Sequence, residues 1–383
     1  SLMTGLPHMP RRYVFWQPIP SMHQMPFLEA LPEAADADVV CVHAEDVPAD
    51  RIALGWSQPT GAGIKLLGAR EAESSRLFDT QQFDTLHIFS GLHCHPFVSA
   101  MFRKAVARHA TSGLISEAHD GHGVRGAVRR LRSSIDAARY AKKLPLILAM
   151  GSLGVDWYRT AGFRHEAIFP FAYVAATAAV KHVPPTGEAP PFLIAFVGQV
   201  IHRKGVDLLL QALETVADLP WRFEVAGAGP LESSLRARAD SAGFAGRMTW
   251  RGSLPNREIG GLLASCDLLV LPSRFDGWGV VVNEALAAGT PVVCSDACGA
   301  ADLLATTTMG SVFQSGSTAA LSRAIRERIV AGPPNADARC SIRSHAKHFS
   351  PHSIARYFVD VVRSVREQTA PPPVPWTIVA AIG

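Results

Sequence analysis

Gly277 and Gly279 bracket Trp278 immediately ahead of a helical stretch that runs through Glu284. Glycines let backbone amides approach a ligand closely, and a helix N-terminus adds free N–H groups and the positive end of a dipole. Together these suit a phosphate. Asp276 stands before this helix and Glu284 inside it, eight positions apart. The elements that must hold them can be read on either side. The apolar run 268–271, stopped by Pro272-Ser273, has the length of a buried parallel strand. Gly289 and Pro291 stop the helix, and 291–294 reads as the next buried strand.

The stretch Pro272-Ser273-Arg274-Phe275-Asp276-Gly277-Trp278-Gly279, with Glu284, resembles the nucleotide-sugar site of the GT-B glycosyltransferases, specifically the retaining family 4 group (glycosyl transferases group 1). That pattern places two Glu residues around seven others, within Pro-Ser-x-x-Glu-x-Phe-Gly. Here Asp276 replaces the first Glu and Trp278 the Phe. The resemblance implies an α/β chain of two Rossmann-like domains facing each other across a cleft, with a C-terminal helix crossing back to the first domain. The implied division is 11–182 for an acceptor-binding domain, 183–191 for a linker with four prolines, 192–350 for a nucleotide-sugar domain, and 351–383 for the returning helix and tail.

The resemblance also assigns roles. Glu284 would accept hydrogen bonds from ribose hydroxyls and Asp276 from hydroxyls of the donor sugar. Lys204-Gly205 matches the family's Lys-Gly before a helix, so Lys204 would hold the donor diphosphate. Gln199 replaces the Arg usual in that loop, and the neighbouring Arg203 is placed to compensate. Amides near Gly277, Trp278, Gly279 and Val280 would assist, and the loop at Ser253-Leu254 would hold the base, so Leu254 joins the donor set. His119, at the end of a strand over 113–118, corresponds to a His close to the transferred sugar, where a neutral imidazole can donate to a hydroxyl. A loop histidine merely exposed beyond that strand is the other reading. Gln17, His23 and Gln24 stand on the acceptor side, where the family usually has a glycine-rich turn that this chain lacks. The implied catalytic group is therefore His119, Asp276 and Lys204.

The implied reaction is metal-independent transfer of a hexose-type sugar, with retention, from a nucleoside-diphosphate sugar to a glycan, lipid-linked or small-molecule acceptor in bacterial-type cell-envelope or polysaccharide synthesis. No cofactor is expected. Two other readings stay open: a catalytically weak GT-B subunit that binds a partner, and a GT-B phosphorylase or epimerase.

Composition fits this and excludes other classes. With 383 residues, 48% hydrophobic and 18% charged, the chain is long for one core and too apolar to be disordered. The net charge of +4 is too small to make nucleic acid the default partner. The longest apolar run, 169–180, is too short to span a bilayer, and residues 1–10 resemble neither a signal peptide nor an anchor. Six unpaired-looking cysteines suit a reducing compartment, so the expected location is cytoplasmic, either free or on the inner face of the plasma membrane. His93, Cys94, His95, His119 and His122 match no standard zinc spacing.

The segment 124–143 carries apolar residues at 124, 128, 131, 135 and 138, which mark one helical face. Around them stand Arg125, Arg129, Arg130, Arg132, Arg139, Lys142 and Lys143 against a single Asp136. A solvated outer helix, a contact with anionic lipid and a guide for an acidic acceptor are all compatible with that pattern.

Overall fold

The computed structural model describes residues 8–53, 58–74, 77–78, 84–175 and 191–377. They form two compact units: one from the residues before 176 together with those from 349 onward, the other from 191–348. The linker expected over 183–191 lies outside the described residues except for Pro191.

The first unit is built on seven parallel strands: β1 (Arg12–Gln17), β2 (Asp38–His43), β3 (Lys65–Gly68), β4 (Thr85–Phe89), β5 (Ser112–Ser116), β6 (Leu146–Met150) and β7 (Ile168–Phe171). Their order across the sheet is β3-β2-β1-β4-β5-β6-β7. The central strands β4, β5 and β6 are buried along their whole length, as strands covered by helices on both faces must be. Pro170 is accommodated because β7 is an edge strand, where a missing N–H costs no ladder bond. The first helix is Met25–Ala35, with Pro26 in its first turn, and Ser21 closes the preceding turn by accepting from the His23 amide at 3.3 Å.

The second unit holds β8 (Phe192–Val197), β9 (Trp221–Ala226), β10 (Met248–Gly252), β11 (Leu268–Leu271), β12 (Val292–Ser295) and β13 (Gly310–Phe313), all parallel, in the order β10-β9-β8-β11-β12-β13. Its core gathers Phe192, Phe196, Leu209, Leu213, Trp221 and Phe223 between sheet and helices. The loop at Ser253-Leu254 leads directly into a helix, Asn256–Ser265.

Each sheet reverses its winding once, between β1 and β4 in the first unit and between β8 and β11 in the second. In doubly wound sheets ligands bind beyond the carboxyl ends of the strands at such a reversal, because the two diverging loops leave a crevice there.

The C-terminal helix Pro351–Glu367 belongs to the first unit. Its Phe358 is fully buried among Tyr13 (ring centroids 5.4 Å apart), Phe27 (5.6 Å) and Phe15 (5.9 Å), and the Tyr357 hydroxyl donates to the Pro170 carbonyl at 2.9 Å. Beyond that helix Trp376 is buried beside Tyr357.

Candidate active site

The loops that leave β8 and β11 meet at the reversal of the second sheet. After β8 the chain makes a short 3-10 turn, His202–Lys204, and passes through Gly205 into the helix Val206–Glu214. Gly205 has φ of 73°, and a Cβ there would lie 2.0 Å from the Pro272 carbonyl oxygen, so only glycine lets the two loops approach this closely. That approach delivers Lys204 onto the β11 loop, where its Nζ donates to Asp276 Oδ2. Arg203 Nη1 lies 4.0 Å from Asp276 Oδ1 and donates to the Phe275 carbonyl at 3.0 Å. Asp276 is buried, Lys204 half-buried and Arg203 exposed.

Arg274 fastens the same two loops. Its guanidinium makes a paired contact with Asp207, at 2.8 and 2.7 Å, and donates to the His202 carbonyl at 2.6 Å. Burial alone would raise the Asp207 carboxyl, but the Arg274 bonds and charge hold it below the usual carboxylate range. Arg274→Ala is expected to lower stability by about 2 kcal/mol, the typical worth of a hydrogen bond to a charged group, in urea unfolding. An unchanged midpoint would mean that the clamp contributes nothing.

Glu284 lies in the first turn of the helix Val281–Ala288. Burial pushes its carboxyl up to about 7, and among the described residues it has no hydrogen-bond or ion-pair partner. A mostly desolvated acid without a protein partner at the mouth of a sheet is suited to accepting from hydroxyls of a ligand. Just before it, Gly279 has φ of 90°, and a Cβ there would press on Cys298 Sγ and Leu271.

A carboxylate paired with lysine, a second cation beside it, and an unpaired acid at a helix start now stand together at one sheet reversal. Residues 182–344, which contain all of them, match the family model described as glycosyl transferases group 1. The second unit is a group 1 glycosyltransferase domain.

Proteins similar to this one carry related names. A 2-deoxystreptamine glucosyltransferase of Streptomyces kanamyceticus is 33% identical over 136 residues, 35% of each chain. A lipopolysaccharide core biosynthesis mannosyltransferase, LpcC, of Rhizobium leguminosarum bv. viciae is 34% identical over 157 residues, 39% of this chain and 44% of that protein. The match therefore spans less than half the length of these relatives. Solved structures cover more of the chain at lower identity. HepE of Anabaena in complex with UDP has a TM-score of 0.63 at 16% identity, covering 93% of this chain and 98% of that one. The lipopolysaccharide outer core galactosyltransferase WaaB has a TM-score of 0.67 at 14% identity, covering 93% and 99%. These likenesses establish the GT-B fold.

Within the glycosyltransferase domain, the remaining donor-side expectations divide by side-chain access. Gln199 is exposed in the β8 loop. Leu254 packs part of its side chain against Ala195, Ala226 and Leu262, which leaves its backbone as the available contact. Gly277 is buried, and Gly279 and Val280 are partly exposed. Trp278 is buried, with its indole N–H donating to Asn283 Oδ1 at 2.8 Å and its carbonyl accepting from the Ala300 amide, also at 2.8 Å. Its ring braces the loop, and its backbone is the part expected to meet the donor. Arg274 was not singled out in the sequence, because nothing there ties it to Asp207, 67 positions earlier.

In the first unit, His119 follows β5 with its ring edge-on to Trp157 at 5.4 Å. It lines a cavity of about 210 Å³ together with His93, Arg129, Arg132 and Asp136. Burial first, then the charges of Arg129, His93 and Arg132, hold its imidazole below the usual range, so it is neutral at pH 7. Gln17 and Gln24 are both buried, and the Gln17 amide donates to Gln24 Oε1. The two side chains tie the end of β1 to the start of the first helix and do not line an open surface. His23 is partly exposed, and burial with the nearby Arg51 drives its imidazole down to about 4.

The histidines around residue 93 have structural partners. His93 contacts Asp136 at 2.7 Å, His95 accepts from the Phe97 amide as a helix cap, and His122 contacts Asp120 at 2.8 Å. Among the described residues no cluster of three His, Cys, Asp or Glu side chains could hold a metal.

Proposed function

We propose that this protein is a glycosyltransferase that moves a hexose-type sugar from a nucleoside-diphosphate sugar to a glycan, lipid-linked or small-molecule acceptor, with retention and without a metal, in cell-envelope or polysaccharide synthesis. The observation that carries this reading is the Lys204–Asp276 pair beside the unpartnered Glu284 at the sheet reversal, inside the residues that match the family. HepE, whose structures hold UDP and UDP-glucose, supports a nucleotide-sugar donor.

In this reading Glu284 accepts from the ribose hydroxyls. Lys204 and Arg203 take the diphosphate, and the growing negative charge of the leaving group is met by cations already in place, which is how preorganised charge lowers a barrier. The Lys204 ammonium has further donors beyond the one spent on Asp276, so it can bridge that carboxylate and a phosphate oxygen. Asp276, fixed by Lys204, accepts from the donor sugar. His119, neutral at pH 7, donates to a sugar hydroxyl. The test is release or transfer of labelled sugar from a panel of nucleoside-diphosphate sugars. Turnover of one of them supports the reading, and binding of a nucleotide with no turnover of any sugar favours the non-catalytic subunit.

Glu284 adds a pH dependence. Its acid must ionise to accept two hydroxyls, so binding releases a proton below pH 7. Affinity for the nucleotide sugar is expected to rise about tenfold from pH 6 to pH 8 and to flatten above that, measured by titration calorimetry. Protein stability moves the other way, because a carboxyl raised in the folded state favours folding at low pH and loses that contribution as pH rises from the unfolded value toward 7. In Glu284→Gln the tenfold rise should vanish. A rise that persists in that variant would assign it to another group.

A further inference from the structure

The helix Gly123–Tyr140 approaches the rest of the first unit through Gly126. Its buried positions are Gly126, Ala137 and Tyr140, and the apolar residues at 124, 128, 131 and 135 are exposed. A Cβ at Gly126 would lie 2.1 Å from the Gly121 carbonyl carbon, so glycine there lets the helix press against the loop that leaves β5. That approach sets Arg129, Arg132 and Asp136 of the helix around the same cavity as His119 of the loop. The loop that leaves β4 closes it from another side. Gly91 there has φ of 79°, and a Cβ on it would come within 3.3 Å of Ser116 Oγ at the end of β5. The cavity thus lies at the carboxyl ends of β4 and β5, next to the reversal between β1 and β4, where doubly wound sheets take their ligands.

Its lining has an aromatic part and a cationic part. Trp157, Tyr158 and Phe163 make the first, with the Tyr158 hydroxyl hydrogen-bonded to Ser116 and its ring edge-on to Phe163 at 5.3 Å. Arg129 and Arg132 make the second. Arg129 spends one donor, Nη1, on the Asp120 carbonyl at 3.0 Å and keeps the rest of its fork. Arg132 is exposed and makes no hydrogen bond or ion pair among the described residues. Among those residues one carboxylate lines the cavity, Asp136, and His93 holds it at 2.7 Å. Asp120, on the loop, is held by His122 at 2.8 Å. Two guanidiniums with unspent donors therefore face a small space with no free carboxylate to balance them. The charges of Arg129, His93 and Arg132 all bear on His119 and add to burial in holding its imidazole below the usual range.

We infer that this cavity seats an acidic acceptor, a sugar ring bearing a phosphate or carboxylate group, with Arg129 and Arg132 on the charged group and the ring beside His119. Planar guanidinium forks match both anions by paired, charge-assisted hydrogen bonds. The aromatic part of the lining offers an apolar surface to the C–H groups of a sugar ring, as apolar walls with a few placed polar groups do in ligand sites. The volume of about 210 Å³ lies below the about 300–1,000 Å³ of drug-sized sites, which leaves room for one sugar ring and not for a nucleotide. A neutral sugar would leave both guanidiniums unmatched. The inference rests on the transferase reading and adds to it the chemical class of the acceptor.

The test is a ligand-observed NMR titration of the full chain, with no donor present. The probes are hexose 6-phosphates, hexuronates, the neutral hexoses they derive from, and inorganic phosphate. At least one acidic sugar is expected to bind about tenfold more tightly than its neutral parent, the worth of one charge-assisted hydrogen bond. Salt should shrink that preference, and whichever acidic class binds names the anionic group. Arg132→Gln should abolish the preference at an unchanged melting temperature, since the side chain is exposed and unpaired among the described residues. Arg132→Lys, which keeps the charge and loses the fork, should restore part of it. Neutral hexoses that bind as tightly as the acidic ones, or no binding of any acidic sugar, would overturn the inference. So would inorganic phosphate that binds as tightly as every sugar phosphate, or an Arg132→Gln variant that keeps the preference. A wild type that binds an acidic sugar through Arg132 but no nucleoside diphosphate would uphold the cavity's chemistry and refute the transferase reading, so the two failures are told apart.

Discussion

Replacing Lys204 by alanine is expected to lower sugar transfer by about 10²- to 10³-fold, the usual cost of removing one preorganised group that meets developing charge. Lys204 is the half-buried cation at the reversal of the second sheet, and Gly205 holds it against the β11 loop. Arg203 is 44% exposed at its side chain, so water screens it and its removal should cost much less. The substitution also strands Asp276, a buried carboxylate whose ammonium partner is gone. The double variant Lys204→Ala with Asp276→Asn separates the two effects: it should recover stability without recovering activity. Transfer within threefold of wild type in Lys204→Ala would remove Lys204 from the diphosphate site.

The second large effect is structural. Phe358→Ala should destabilise the first unit by about 3–5 kcal/mol, because a fully buried ring leaves a cavity among Tyr13, Phe15 and Phe27 that those rigid aromatics cannot fill. Phe358→Leu keeps most of the volume and should cost under about 1.5 kcal/mol. Urea unfolding followed by near-ultraviolet dichroism reads both. The two units need not unfold together, so the loss belongs to the transition that reports these aromatics. A loss below about 1 kcal/mol for the alanine variant would mean that the C-terminal helix does not complete this core.

These two residues differ in how far the sequence discloses them. Lys204-Gly205 is reached through its resemblance to the family's Lys-Gly ahead of a helix, and what carries that resemblance is local: a cation, a glycine and a helix start within a few residues of a strand. Asp276, Gly279 and Glu284 are legible for the same reason. What resisted reading depends on distant partners. Arg274 clamps Asp207 across two loops, and Phe358 meets the first strand from the far end of the chain. The Gln17–Gln24 pair reads as an acceptor-side contact because it sits in the right loop, and Trp278 reads as a donor contact only through its backbone amide. Whether such a side chain turns outward or inward is decided by neighbours the sequence does not name, here Asn283 for the tryptophan and each glutamine for the other. The helix Gly123–Tyr140 shows the same limit in another form. Its periodicity marks a stripe, but the face that packs is the one with the smallest residues, since close approach at Gly126 outweighs the attraction of the aliphatic side.

Thermal melting with UDP, GDP, ADP, CMP and NAD, run on the wild type, Lys204→Ala and Glu284→Ala, tests the central claim most directly. A ligand at one hundred times its dissociation constant adds about 2.7 kcal/mol of stability, enough to move a melt by several degrees. The expected result is that one nucleoside diphosphate stabilises the wild type, that NAD does not, and that both variants lose the shift. A well-folded wild type that no nucleotide stabilises, or variants that keep the full shift, would contradict the donor site at Lys204, Asp276 and Glu284.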